Sequence, residues 1–344
     1  MDVTPKERLR RALAHAPVDR IPTQVNYTER MGAAMAAHYG VAAADLPGLL
    51  GNHLVRVDLN HSGALSADGK ERFDWWGCGH DTAEEGYFIR TSPLAGAAGE
   101  PADLDAIAWP DPHAPDLMDR AAATIDKHGA EFFIVPNMGF ALFERAWALR
   151  GLQPFLMDMV LHPEFVESLL DRVTEIQLAL IDRYISLGVD GGYFGDDYGA
   201  QKNMLFSPKM WRALIKPRLA RMFARFRDRN LPVLLHSDGQ VQAILPDLVE
   251  IGLTALNPVQ PEVLPHAWLH SEFGGRLAFY GGISTQTVLP QGAPADVEAA
   301  VADVARTLAP TGTGLLLAPS HRMMTDVPMA NVDAMLAAFK RLNQ

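Results

Sequence analysis

Short apolar runs alternate with long helical patterns over most of the chain. From residue 120 onward, these runs are separated by segments in which apolar positions recur every three or four residues. Six such runs occur, at 131–137 (EFFIVPN), 188–197 (GVDGGYFGDD), 231–239 (LPVLLHSDG), 253–259 (LTALNPV), 276–283 (RLAFYGGI) and 313–321 (TGLLLAPSH). Short strands that alternate with long helices predict parallel strand pairing through helical crossovers.

The helical segments begin and end at residues that favour helix boundaries. Segment 163–187 places Phe165, Val166 and Leu169 on one stripe and ends before Gly188, as expected of an amphipathic helix packed on a sheet. Further helices are predicted at 207–229, 240–251 and 294–308 and from Pro328 onward.

Two further strands complete the predicted fold. Segment 54–60 (LVRVDLN) is typical of a strand, and RIPTQVN (20–26) supplies one more, which brings the total to eight. We therefore predict a (β/α)8 TIM barrel formed by residues 1–344 as a single domain, with an irregular strand-rich excursion at about 61–118. A doubly wound open sheet is the alternative, but no Gly-x-Gly-x-x-Gly motif follows the first strand.

Composition and charge narrow the range of partners. The chain is 48% hydrophobic and 21% charged, with a formal net charge of −11, which argues against nucleic acid or an anionic membrane as partner. Its single cysteine, Cys78, excludes an internal disulfide and a cysteine-rich zinc site. The N-terminal segment lacks an apolar signal core, and no run of about 18 apolar residues occurs. We expect a cytoplasmic enzyme with a small-molecule substrate.

Polar side chains follow most of the predicted strands, where a barrel places its chemistry. They are Asp58 and Asn60, Asn137, Asp196 and Asp197, His236 and Asp238, Asn257, and His321. Because the carboxyl ends of barrel strands meet at one mouth, this set predicts a site there, in which Asn137 and Asn257 would contact the substrate.

A metal site is the sharpest hypothesis within this set. Residues i and i+2 of a strand share a face, so His236 and Asp238 would point together towards the mouth, where His321 could join them from the last strand. Two imidazoles and a carboxylate suit zinc or a similar divalent ion with an open fourth position. The alternative is that one histidine is a hydrogen-bonded core residue and Asp238 caps the following helix.

Two acidic groups are candidates for acid–base chemistry. Asp196 and Asp197 form a carboxylate pair after an apolar strand, and a semi-buried pair of this kind can hold one proton. Adjacent strand residues point in opposite directions, so one of them could instead cap a turn. The segment 139–151 adds Glu144, a second acidic group besides this pair.

Three other residues are candidates for substrate binding. Asp58 could hold a cationic or N–H-donating group, or it could pair with Arg56. Arg145 could bind a carboxylate, and Trp147 could wall a flat ligand. For the latter two, the alternative is a solvated charge and a core aromatic residue.

Four long stretches resemble the uroporphyrinogen decarboxylase superfamily, and the likeness covers most of the chain. The stretches are ERLRRALAHAPVDRIPT (7–23), GDDYGAQKNMLFSPKMWRALIKPRLARMF (195–223), LHSDGQVQAILPDLVEIGLTALNPVQP (235–261) and APSHRMMTDVPMANVDAML (318–336). The resemblance implies a (β/α)8 barrel. It also implies a homodimer, because members of the family often pair through barrel faces.

One branch of the superfamily implies a metal-free decarboxylase of a carboxylated pyrrole or aromatic. There Asp58 and Asp196 would bind the ring, and His321, at the position of the family's C-terminal histidine, would protonate the carbanion. The family's N-terminal Arg-Gln-Ala-Gly-Arg-Tyr signature is replaced here by QVNYTERMGA (24–33), and Trp147 stands where the active-site tyrosine is expected.

The other branch, the cobalamin-linked methyltransferases, implies zinc bound through His-x-Cys and a distant Cys. His236 and Asp238 match the first pair and His321 lies near the third position, so that Asp and His replace both thiolates. We therefore predict a metal-dependent methyltransferase for a small methylated or methoxylated substrate, with a corrinoid protein as methyl acceptor. Glu144 and Asp196 would orient or protonate the leaving group. A third hypothesis is a non-catalytic ligand binder that kept the barrel.

Overall fold

The structure is a computed structural model that describes residues 3–83 and 88–342. Its strands are β1 (Leu54–Val57), β2 (Glu71–Phe73), β3 (Gly79–Asp81), β4 (Ile89–Thr91), β5 (Phe133–Pro136), β6 (Gly192–Gly195), β7 (Val233–His236), β8 (Ala255–Asn257), β9 (Ala278–Ile283) and β10 (Leu315–Pro319). Its α-helices are α1 (Pro5–Leu13), α2 (Glu29–Tyr39), α3 (Leu46–Leu49), α4 (Asp119–His128), α5 (Phe143–Arg150), α6 (Leu152–Leu161), α7 (Pro163–Ser186), α8 (Pro208–Met210), α9 (Lys216–Arg227), α10 (Leu245–Glu250), α11 (His266–Phe273), α12 (Val288–Gln291), α13 (Pro294–Leu308) and α14 (Met329–Arg341).

Seven parallel strands follow one another in chain order. Strands β6 to β10 form one sheet, and β1 pairs with β5 in another. Backbone hydrogen bonds join the two sheets, because the amide of Met138 donates to Tyr193 and the amide of Gly195 donates to Met138, at 3.2 and 3.0 Å. This unbroken order is that of a barrel, whereas a doubly wound sheet reverses its order at a switch point.

The eighth predicted strand is a short extended segment around Thr23. It pairs with β10 through the bonds Gln24 N to Leu317 O (3.0 Å) and Leu317 N to Pro22 O (2.9 Å). On the β1 side, the Gln24 side-chain oxygen accepts from the backbone amides of His53 and Leu54, at 3.1 and 3.0 Å. A side-chain amide thus replaces part of the backbone ladder, which is why the segment joins β10 to β1 without forming a regular strand.

Alternating positions of the strands fill the barrel. Phe133 and Val135 of β5 are buried in the same cluster as Leu234 of β7. Leu9 and Leu13 of α1 belong to this cluster as well, so α1 covers the amino-terminal end of the barrel. The opposite end, where the strands run out, is left for polar side chains.

The long segment between β1 and α4 contains a small antiparallel sheet. Strands β2, β3 and β4, here called the cover sheet, pair in the order β2-β3-β4. The Asp74 carboxylate accepts from the backbone amides of Trp76 and Cys78, both at 2.9 Å, and so holds the turn between β2 and β3.

None of the helices in the described ranges combines the length and the apolar composition that crossing a bilayer requires.

A buried ion pair fastens the segment after β4 to the barrel. Nε of Arg150 lies 2.7 Å from Oδ2 of Asp158, and the side chains are only 9% and 5% exposed. Arg150 also donates to the carbonyl of Leu94 at 2.9 Å. Removing one member of such a pair leaves the other charge buried without compensation.

We expect Arg150→Met to lower the free energy of unfolding by about 3–5 kcal/mol, as measured by urea denaturation. The matched control is Arg306→Met, which breaks an ion pair with Asp303 whose side chains are 78% and 58% exposed; it should change stability by less than about 1 kcal/mol. Equal effects in the two variants would show that the buried ion pair contributes no more to the free energy of unfolding than the exposed one.

Candidate metal centre and active site

The site lies at the carboxyl ends of the strands. His236 and Asn257 are the last residues of β7 and β8 and pair in register. Each stands two positions beyond a barrel-filling residue, Leu234 and Ala255, so strand alternation points their side chains into the mouth. Asp238 and His321 follow in the loops after β7 and β10.

The structure brings together the three predicted metal ligands. One potential ligand atom from each of His236, Asp238 and His321 lies within 4.8 Å of the other two. The His236 Nε2 atom is 3.5 Å from Asp238 Oδ1, and His321 Nε2 is 3.7 Å from Asp238 Oδ2. Two imidazole nitrogens and one carboxylate oxygen form the donor set of a zinc site that keeps its fourth position open. The residues therefore fit a divalent metal.

A buried amide orients His236. The Asn257 side chain is 3% exposed, and its Nδ2 donates to the carbonyl of Tyr280 at 2.9 Å. Its Oδ1 therefore faces the other way, where it accepts from the Tyr193 hydroxyl at 2.8 Å and lies 2.6 Å from His236 Nδ1. Because this oxygen can only accept, Nδ1 must carry the proton. Nε2 then presents its lone pair to Asp238 and His321, as metal binding requires.

His321 is also prepared to act as a ligand. Burial, together with the nearby ring of His236, lowers the pKa of His321 to about 4. The centroids of the two rings are 5.4 Å apart. His321 is consequently neutral at physiological pH and can offer a lone pair.

Two acids lie close to this cluster. Asp197 accepts from the backbone amide of Asp238 at 2.8 Å, and its Oδ1 is 3.9 Å from His236 Nε2. Burial raises the pKa of Asp197. Burial and the charges of Asp197 and Asp196 raise the pKa of Glu144 well above its usual value. This environment therefore favours the protonated form of the Glu144 carboxyl group.

Asp196 faces the protein interior. It is fully buried, and its two oxygens accept from the backbone amides of Phe143 and Glu144 at 3.0 and 2.7 Å. The hydroxyl of Tyr198 donates to it at 2.7 Å, while burial raises its pKa to about 6. Asp196 thus caps the amino terminus of α5, the helix that carries Glu144.

A cavity of about 720 Å³ opens beside the cluster. His236, His321, Glu144 and Asp197 form one wall of it. The cover sheet forms another wall, to which it contributes residues of β2 and β3, namely Arg72, Phe73, His80 and Asp81. The excursion predicted as irregular therefore helps to enclose the site.

Arg145 holds the cover sheet in place. The side chain is part of the cavity wall, but its NH1 donates to Asp74 at 2.6 Å, and its guanidinium lies over the rings of Trp76 and Phe140 at 5.1 and 5.4 Å. Asp74 therefore connects α5 to the turn of the cover sheet. Its Oδ2 also lies 3.1 Å from Nε2 of His80.

The structure places two predicted substrate-binding residues, Asp58 and Asn137, side by side at the mouth, whereas Trp147 lines none of the three cavities described here. Asn137 donates to Asp58 at 2.8 Å. Asn137 lines both the large cavity and an adjoining cavity of about 210 Å³, whereas Asp58 lines only the adjoining one. Trp147 is half-buried and packs with its ring centroid 5.4 Å from that of Phe140.

Two residues that line the large cavity, Arg56 and Tyr193, are not among the site residues that the sequence predicts. Arg56 lines the large cavity with Tyr193, and its guanidinium lies 4.4 Å from the centroid of the Tyr193 ring. Strand alternation places the side chains of Leu54 and Arg56 on the same face, towards the barrel interior, so the sequence does predict where Arg56 points. No local pattern could have shown that Tyr193 hydrogen-bonds to Asn257.

Known proteins resemble the chain in family and in fold. A family model described as uroporphyrinogen decarboxylase (URO-D) matches residues 96–342. A solved methyltransferase from Methanosarcina mazei has a TM-score of 0.71 at 23% sequence identity, covering 100% of both chains; it shares the fold, which confirms the predicted barrel. A B12-independent methionine synthase from Shewanella sp. W3-18-1 in complex with selenomethionine has a TM-score of 0.45 at 12% identity, covering 66% of this chain and 65% of that one. No curated protein matches the chain in a sequence comparison.

We expect Asp196→Ala to lower the free energy of unfolding by about 3 kcal/mol, because the buried amides of Phe143 and Glu144 lose their acceptor. Urea denaturation measures this change. Asp228→Ala, at an exposed position, serves as control and should shift stability by less than about 0.5 kcal/mol. A stable Asp196→Ala protein would contradict the capping role.

We expect Asn257→Leu to release the tautomer of His236. In the wild-type protein, nitrogen-15 NMR at a pH where the imidazole is neutral should show the proton of His236 on Nδ1. In the variant, which lacks the acceptor at 2.6 Å, the Nε2–H form should become prominent, as it is in free histidine. A spectrum that is identical in the two proteins would mean that Asn257 does not set the tautomer.

Proposed function

The chain belongs to the uroporphyrinogen decarboxylase family, and within that family we propose that it is a metal-dependent methyltransferase. Its substrate would be a small methylated or methoxylated compound, and its methyl acceptor a corrinoid protein. The observation that carries the proposal is the cluster of His236, Asp238 and His321, with ligand atoms within 4.8 Å of one another and with the lone pair of His236 oriented by Asn257.

Zinc is the metal that this donor set suits, held by His236, Asp238 and His321. When bound, zinc supplies Lewis acidity towards the heteroatom of the substrate. The donors differ from the His-x-Cys pattern of the cobalamin-linked branch, because a carboxylate and an imidazole take the places of two thiolates. A site with these harder donors would favour Lewis-acid activation of an ether or thiol substrate. A site with two thiolates would instead give the metal an electron-rich environment.

Glu144 would supply the proton that the reaction consumes. The bond between the methyl carbon and the heteroatom X breaks, its electron pair stays on X, and X takes a proton from Glu144. The acceptor contributes the electron pair of the new bond to carbon, so that a reduced corrinoid is formally oxidised by two electrons. Burial raises the pKa of Glu144 and so favours its protonated form before this step.

Other residues would position these groups. Asp196 would act through Glu144, since it caps the helix that carries Glu144. Asn137, Arg145 and Asp197 line the large cavity and would contact its occupant, while Arg145 would also keep the cover sheet closed through Asp74.

Metal-free decarboxylation is the second candidate, and three arginines in the wall of the large cavity favour it. Arg56, Arg72 and Arg322 all line the large cavity, and guanidinium groups recognise carboxylates. In that reaction His321 would protonate the carbanion that is left when CO2 departs. Asp58, proposed as the ring-binding acid, lines a separate cavity in this structure.

We expect about one zinc ion per chain in the purified wild-type protein, and less than about a tenth of that in His236→Ala, since removing a ligand weakens such sites strongly. Mass spectrometry measures the metal. His80→Ala is the matched control, because His80 lines the same cavity but is not part of the cluster; it should retain zinc.

The two candidate reactions give different outcomes in the same preparation. The zinc-containing protein should transfer methyl groups from methoxylated or methylthio compounds to cob(I)alamin and release no CO2 from carboxylated pyrroles. A protein that holds no zinc, even after zinc is supplied, would overturn the methyltransferase proposal and leave decarboxylation. Zinc without either activity would indicate a ligand binder.

A further inference from the structure

A second cavity adjoins the metal-ligand cluster from the other side. It has a volume of about 260 Å³ and lies between the loops that follow β8, β9 and β10. His321 lines both cavities, whereas Asp238 lines only the smaller one and His236 only the larger one. The cluster therefore lies where the two cavities adjoin, and each cavity is lined by at least one of its ligand residues.

A buried amide donor points into the smaller cavity. Gln260 is 6% exposed and forms part of the wall. Its Oε1 accepts from the backbone amide of Gly239 at 3.3 Å, which orients the side chain. Within residues 3–83 and 88–342, Nε2 of Gln260 has no acceptor. This nitrogen is not among the fully buried polar atoms that lack a partner. It is therefore open to the cavity, and the site is suited to a ligand that brings an acceptor oxygen.

The donors around the cavity suit an anionic acceptor when a divalent metal offsets Asp238 and Asp326, the two carboxylates that also line the cavity. The guanidinium of Arg322 lines the same cavity, as do Ser320 and Thr285, whose hydroxyl oxygens are 3.2 Å apart. A carboxylate is the oxygen group that amide N–H and guanidinium donors bind most strongly. The cavity has the volume of roughly nine water molecules, which suits a compound of a few non-hydrogen atoms.

We propose that this smaller cavity binds the methyl donor, and that the donor is a small methyl ether or thioether carrying a carboxylate. The proposal rests on the methyltransferase function proposed above. Gln260 and Arg322 would hold the carboxylate, which places the heteroatom at the cluster and directs the methyl group towards the larger cavity.

The two chambers would separate the two substrates of the reaction. In a displacement at a methyl carbon, the nucleophile approaches opposite the leaving heteroatom, so donor and acceptor must occupy opposite sides. With the donor in the smaller cavity, the larger one under the cover sheet remains for the acceptor. Glu144 lines that larger cavity, from which it can deliver its proton to the heteroatom at the junction.

The test is binding of methoxyacetate to the full-length zinc-loaded protein, followed by ligand-observed NMR, with uncharged 1-methoxypropane as comparison. In Gln260→Glu, an oxygen remains to accept from Gly239, but the N–H donor is replaced by a second, negatively charged oxygen. We expect the dissociation constant of methoxyacetate to rise about tenfold or more. Gln242→Glu adds the same charge at an exposed position outside the lining of this cavity and should leave binding unchanged.

Zinc content, measured in the same samples, separates the two proposals. Zinc in all three proteins with weaker methoxyacetate binding only in Gln260→Glu supports the donor cavity. Zinc in all three with equal binding, or no preference of the wild-type protein for methoxyacetate over 1-methoxypropane, overturns the donor cavity and leaves the methyltransferase proposal standing. A wild-type protein without zinc overturns the methyltransferase proposal itself.

Discussion

The side-chain amide of Asn257 connects three strands of the barrel with the histidine at the centre of the site. Its nitrogen is committed to the carbonyl of Tyr280 on β9, so its oxygen must face Tyr193 on β6 and His236 on β7. This arrangement decides which nitrogen of His236 is protonated and which is free. In a buried environment a misplaced proton would cost more than it does in water, because no solvent replaces the lost hydrogen bond.

Helix α5 links the chemistry of the mouth to its cover. Its first turn is capped by Asp196, its second residue is Glu144, and the next residue, Arg145, is paired with Asp74 of the cover sheet. A shift of this helix would therefore move the proposed proton donor, Glu144, and would change how the cover sheet encloses the cavity. The buried carboxylate of Asp196 is far from the cover sheet in sequence, yet both are tied to the same helix.

The metal-ligand cluster lies between two cavities, so the site can be approached from two sides. His236 and His321 face the large chamber, while Asp238 and His321 face the small one. A methyl transfer needs two substrates in line, whereas a decarboxylation needs one substrate and a proton. The proposed methyl transfer would use both cavities, since each of its two substrates would have a cavity of its own.

The sequence by itself determined the barrel and the candidate ligands. Seven strands lie within the runs that the apolar pattern predicts, and His236, Asp238 and His321 were found because strand alternation and chain order place them at one mouth. The barrel and the candidate ligands can both be predicted because they depend on local periodicity, which can be read directly from the sequence. The tertiary structure decided which way Asp196 faces, which acceptor orients Asn257, that Arg145 holds the cover sheet, and that Nε2 of Gln260 finds no acceptor among the described residues. These depend on contacts between residues far apart in the chain, such as the 64 positions between Tyr193 and Asn257, and no local pattern encodes which distant partner satisfies a buried polar group.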